Sequence, residues 1–125
     1  MTHSDVANWL NRYVQAWQSY EAEAIGSLFS ADAAYYYSPF GDPDQPREVI
    51  IASWLADPDA AGTYEAEYHP VAVDGDTAVA EGRTRYLDAP GGVVTREFAN
   101  VFMMRFNEAG ECAEFREFYM ERRNA

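Results

Sequence analysis

Asn100 is an amide in the middle of an apolar strand face. Phe98, Asn100, Phe102, Met104 and Phe106 alternate on one side, with Ala99, Val101, Met103 and Arg105 on the other. The first face is the more aromatic and is expected to line the interior. An amide there adds little packing and needs hydrogen-bond partners, so its chemistry is to position a neighbouring acid or to donate to a bound ligand. The chain also carries 3 Trp, 9 Tyr and 7 Phe in 125 residues, more rings than one small core consumes. Rings set around a pocket suit flat or polycyclic ligands.

Other chemistries lack their residues. His3 and His69 show no HxxxH or HxH spacing, so no metal is expected. No organic cofactor is expected either. Cys112 is the sole cysteine, which rules out an intramolecular disulfide, and it reads as a packing residue. His3 is terminal, while His69 precedes Pro70 on a charged strand face where a bulge is expected. With 21 Asp and Glu against 9 basic residues, all of them arginine, the net charge is −12. Such a surface repels phosphate backbones and anionic lipids, so neither nucleic acid nor a membrane is an expected partner. Glu65, Glu67 and His69 share parity. With Glu81, Arg83, Arg85, Arg96 and Glu97 they suit cross-strand ion pairs on an outer sheet face, which stabilise little.

The elements that must position these residues follow from periodicity. Val6, Trp9, Leu10, Tyr13, Val14 and Trp17 recur at helical spacing, and Ser4 and Asp5 suit the start of that helix. Ile25, Leu28 and Phe29 make a short second helix ending near Ser30, and Ala33 to Tyr37 reads as a strand. A third helix starts at Pro46, buries Ile50, Ile51, Trp54 and Leu55, and stops at Asp57-Pro58-Asp59. From Tyr64 onward the period becomes two. Turns at Asp74-Gly75-Asp76, Pro90-Gly91-Gly92 and Asn107 to Gly110 separate four long antiparallel strands. One domain over 1–125 is expected, with helices covering one face of a twisted sheet. Without a leader or a long apolar run, a cytoplasmic location is expected.

Tyr13, Ile25, Phe29, Asp32 and Ala33, then Ser38-Pro39-Phe40-Gly41 and Pro46-Arg47-Glu48-Val49-Ile50, then Phe106 to Gly110 and Phe115-Arg116-Glu117-Phe118, together resemble the nuclear-transport-factor-2-like superfamily. The likeness is nearest to its bacterial SnoaL-like branch. It implies an α+β cone, three N-terminal helices packed on a strongly curved, mainly antiparallel sheet, assembled as a homodimer through the open sheet face. The superfamily holds isomerases, cyclases, hydrolases, dehydratases and binding domains, so the likeness alone assigns no reaction.

Laid on the ketosteroid isomerases of that superfamily, the chain has Asn100 and Phe102 facing inward, and Phe115, Glu117 and Tyr119 inward on the last strand. Those enzymes use a carboxylate base together with a tyrosine and a neutral carboxylic acid. Tyr13 matches the tyrosine, but the acid position falls on Phe102 and the base position on Tyr37 or Ser38. Met120 stands where the SnoaL-like cyclases have an aspartate. The remaining candidate catalytic group is Glu117, Tyr13 and Asn100. Burial would raise the glutamate pKa toward the range of proton transfer, and the other two would hold a carbonyl or enolate oxygen. Candidate lining residues are Trp17, Tyr37, Trp54, Tyr68, Tyr86, Phe102, Phe115 and Tyr119. The expected ligand is a small hydrophobic or aromatic carbonyl compound. The expected role is a general acid/base isomerase, cyclase or dehydratase, or else a non-catalytic binding or dimerisation domain.

Overall fold

The structure, a computed structural model, describes residues 1–123. Helix α1 (His3–Ser19) opens with a reciprocal cap: Thr2 Oγ1 accepts from the Asp5 amide, and Asp5 Oδ2 accepts from the Thr2 amide. The cap is therefore Thr2, ahead of the expected Ser4 and Asp5. Val6, Trp9, Leu10, Tyr13 and Ala16 form the buried stripe. Tyr20 closes the helix in the left-handed region, its amide bonded to the Ala16 carbonyl.

Helix α2 is confined to Ala22–Gly26, and β1 spans Phe29–Tyr36. Leu28 and Phe29, expected in the helix, instead lead into the strand, because β5 captures the chain there: the Cys112 amide donates to the Leu28 carbonyl and Phe29 pairs with Cys112. Helix α3 (Arg47–Ala56) takes Pro46 as its cap rather than its first helical residue. Only Ile50 is fully buried. Ile51 and Trp54 are half-buried and Leu55 is exposed, since the short helix presents a single stripe to its neighbours.

Strands β2 (Tyr64–Asp74), β3 (Thr77–Leu87), β4 (Val94–Phe106) and β5 (Cys112–Glu121) form an antiparallel meander. β1 adds in parallel to β5, giving the order β1-β5-β4-β3-β2. The three helices and the curled, unclosed five-stranded sheet make the expected α+β cone. Its core joins Trp9 to Phe29, Phe106 and Phe115 at ring distances of 6.0, 5.5 and 5.9 Å, and Trp9 Nε1 donates to the Leu28 carbonyl. Cys112 is wholly buried there, and burial pushes its thiol up to about 12, which makes it unreactive.

Two features of β3 create space within the cone. Its inward positions Ala78, Ala80, Gly82 and Thr84 are small. At Gly82 a β-carbon would lie 2.0 Å from the Glu67 carbonyl and 2.6 Å from the Tyr68 ring, so glycine lets β2 close over the strand. The register shifts between Pro70 and Ala72, next to His69. On the outer face His69 meets Glu81 at 3.3 Å, and Arg85 bridges Glu67 and Glu97 at 3.0 and 2.9 Å. Arg96 departs from the expected outer face. It shares the parity of Phe98 and turns to the concave side, where Glu121 of β5 holds it.

Candidate active site

The helices leave the wide end of the sheet uncovered, and a cavity of about 610 Å³ opens there. Tyr13 of α1, Trp54 of α3 and Tyr68 of β2 supply its walls, with Tyr86 from β3 and Glu117 from β5. Trp17, Tyr37 and Tyr119 also line it, the last two exposed at its open rim. Phe102 and Phe115, expected as lining residues, are 1% and 0% exposed and belong to the core beneath. Phe115 stacks on Tyr13 at 5.4 Å, and Phe102 packs against Phe115 at 4.7 Å, so both shape the floor without reaching the space.

Glu117 is half-buried. Burial among aromatic rings pushes its carboxyl from the ordinary 4.5 up to about 7, and a hydrogen bond from Tyr35 pulls the other way. No arginine among the described residues pairs with it. The groups facing it are the phenols of Tyr13, Tyr35, Tyr37, Tyr68 and Tyr86. Burial raises all five, so they stay neutral donors near pH 7. A carboxyl poised near neutrality in a cleft is suited to giving and taking protons.

Tyr35, which was not among the candidate residues, is the connection between Glu117 and Tyr13. Its hydroxyl donates to Glu117 Oε2 at 3.4 Å and lies 2.7 Å from the Tyr13 hydroxyl. With the Tyr35 proton on the carboxylate, Tyr13 must donate to Tyr35, so Tyr13 reaches Glu117 through it and not directly. A signal was present in the run of three tyrosines, because alternate residues take opposite faces. Tyr35 and Tyr37 turn inward, while Tyr36 turns outward, beneath the Arg116 guanidinium at 4.1 Å.

Asn100, 4% exposed, accepts at Oδ1 from Thr84 Oγ1 at 2.9 Å, and the Thr84 hydroxyl also meets that of Tyr68. Asn100 is bonded to Thr84 and not to Glu117. In the strand register Glu117 faces Phe102, and Asn100 faces Tyr119, so acid and amide are diagonal neighbours on adjacent strands. Trp17 Nε1 donates to the Tyr20 hydroxyl at 3.0 Å and to Asp59 Oδ2 at 3.2 Å, tying the end of α1 to the loop that follows α3. Thr84, Tyr20 and Asp59 were not candidates. Thr84 falls between the charged Arg83 and Arg85, and the Tyr20–Asp59 contact joins distant segments that no local pattern relates.

Comparison with known proteins places this geometry in context. The family model of the SnoaL-like domain matches residues 10–115. No match was found among curated proteins. Many solved structures share the fold. One is the crystal structure of a nuclear-transport-factor-2-like protein of unknown function from Burkholderia xenovorans LB400. It is 18% identical and aligns over 98% of this chain and 88% of its own with a TM-score of 0.73. That likeness speaks for the fold alone. No helix among the described residues is long and apolar enough to cross a membrane.

Proposed function

The chain belongs to the SnoaL-like domain family, and from that premise we propose that it binds a small, largely apolar carbonyl compound and moves a proton on it with Glu117, as an isomerase, cyclase or dehydratase does. One observation carries the reading: a carboxyl without a cationic partner, pushed up to about 7, opens onto an aromatic cavity. Around neutral pH such a group takes a proton from carbon α to a carbonyl and returns it elsewhere. When Glu117 is ionised, Tyr13 and Tyr35 line up their hydroxyl protons toward it. When it is protonated, the same line can reverse, which frees the Tyr13 hydroxyl to donate to the ligand.

The test is proton exchange from a small bicyclic ketone with acidic α-hydrogens, 2-tetralone, followed by NMR in D₂O. Exchange accelerated by the wild-type protein and lost in Glu117→Gln, with ketone binding retained, supports the reading. Equal acceleration by both proteins removes Glu117 from the mechanism. A second reading, a non-catalytic carrier or sensor, is favoured by the predominance of rings around the space; binding without exchange in the wild type would select it.

We propose that the expected homodimer forms through the convex face of the sheet. Val101 and Phe118 are cross-strand partners, with exposed Met103 and Met120 beside them. A second copy turned about a two-fold axis would meet this stripe apolar on apolar. Sedimentation analysis of the wild type against Phe118→Glu tests this. A dimer that dissociates in the variant supports it, and a wild-type monomer refutes it.

A further inference from the structure

The polar line Tyr68–Thr84–Asn100 has a direction, and the direction fixes what the cavity reads. Threonine has one hydroxyl proton. Thr84 donates it to Asn100 Oδ1, so the Tyr68 hydroxyl must be the donor in its contact with Thr84. The Asn100 carbonyl oxygen is therefore turned toward Thr84. Its Nδ2 keeps its protons, with no acceptor bonded to it among the described residues. No side-chain nitrogen or oxygen among those residues is both buried and unpartnered, so this nitrogen opens on the cavity that Asn100 lines. Asn100 therefore presents its amide donor to the cavity.

Charge narrows the partner of that donor. Among the described residues Arg96 is the one cation lining the cavity, and its Nε and Nη2 are engaged by the two oxygens of Glu121 at 3.0 and 2.9 Å. Asp57, Asp59 and Glu117 line the same space. An anionic ligand would shed its water, meet carboxylates and find no free cation. An uncharged carbonyl oxygen sheds little and gains the amide. We propose that Asn100, oriented by Thr84 and Tyr68, is a recognition site for a neutral carbonyl oxygen, and that the cavity refuses carboxylates and phosphates of the same shape. Thr84 is thus a positioning residue that determines specificity. The inference rests on the cavity being a ligand site, and needs nothing from turnover.

Equilibrium dialysis with three probes of one shape tests it: 2-acetylnaphthalene, 2-ethylnaphthalene and 2-naphthoate. The ketone is expected to bind about tenfold more tightly than the hydrocarbon, the usual effect of leaving a buried donor unpaired, and the carboxylate to be excluded. Thr84→Val should bring the ketone down to the level of the hydrocarbon in the same variant. Glu121→Gln, which releases Arg96, should admit the carboxylate. Hydrocarbon or carboxylate binding as tightly as the ketone to the wild type overturns the inference while the cavity remains a ligand site. If no probe binds the wild type, the inference and the proposed function fall together.

Discussion

Glu117 and Glu121 lie on the same strand, share parity and line the same concave side, yet they differ in every respect that matters to chemistry. Glu117 is surrounded by phenols and pushed up to about 7 by burial. Glu121 is exposed and accepts two hydrogen bonds from Arg96, which hold its carboxyl below the usual carboxylate range. Four residues along β5 separate a group that can change charge at neutral pH from one that stays ionised. Residue type and strand parity are identical for the two, so the difference is made by neighbours brought from α1, β1 and β2 in one case and from β4 in the other.

The largest expected contrast is kinetic. With Glu117 as the base, kcat/KM for proton abstraction should climb with pH and level off above about 7. Glu117→Gln should lower the plateau by about 10²–10⁴-fold, the usual worth of general acid/base catalysis. A profile that levels off near the ordinary carboxylate range would mean that a solvated acid such as Glu121 is acting instead.

The next contrast is in stability. Because the folded-state pKa of Glu117 is raised from 4.5 to about 7, the native protein holds this proton more tightly than the unfolded chain. That contribution is fully present below about 4.5, falls as pH rises, and is lost above about 7. Discounted for the residual solvent at a half-buried site, it amounts to about 2 kcal/mol. Urea denaturation of the wild type against Glu117→Gln should show the variant gaining by about that amount between pH 4 and pH 8. A constant difference between the two curves would mean that the carboxyl is solvated like that of Glu121.

A smaller effect isolates the intermediary. Tyr35→Phe removes the hydroxyl that favours the ionised carboxylate, so the pKa of Glu117 should rise further and the pH–rate profile move upward. The rate at pH 7 should fall by a few-fold and recover at higher pH. A uniform loss at every pH, with the profile unmoved, would leave Tyr35 a packing residue.

The same pair marks how far the sequence is legible. The turns at Gly75, Gly91 and Gly110 and the alternation from Phe98 to Phe106 are local, and local chemistry dictates them, so the meander and its inward face can be read directly. The beginning of β1 cannot, because a parallel partnership with Cys112 decides it. The inward position of Glu117 came from the family likeness. Its state depends on Tyr35 and Tyr13, which reach it across large separations in sequence. Arg96 was misplaced for the same reason: charge and spacing suit either face, and Glu121 decides. Phe102 and Phe115 show the converse limit, since parity selects the concave face but not which rings are covered by others.

The smallest expected effect lies at Glu121 itself, and it sharpens the comparison because nothing there depends on burial. An exposed ion pair contributes little to stability, so Arg96→Gln should leave the denaturation midpoint close to wild type. The carboxyl should respond nonetheless. Followed by NMR, Glu121 should titrate below the usual carboxylate range in the wild type and return to it in Arg96→Gln or at molar salt, where exposed charges are screened within a few ångströms. Glu117 should keep its elevated pKa under both conditions, since exclusion of water sets it and salt does not reach that exclusion. If salt moved both carboxyls together, the cavity would be open enough for bulk solvent to govern it, and the separation of roles along β5 would fail.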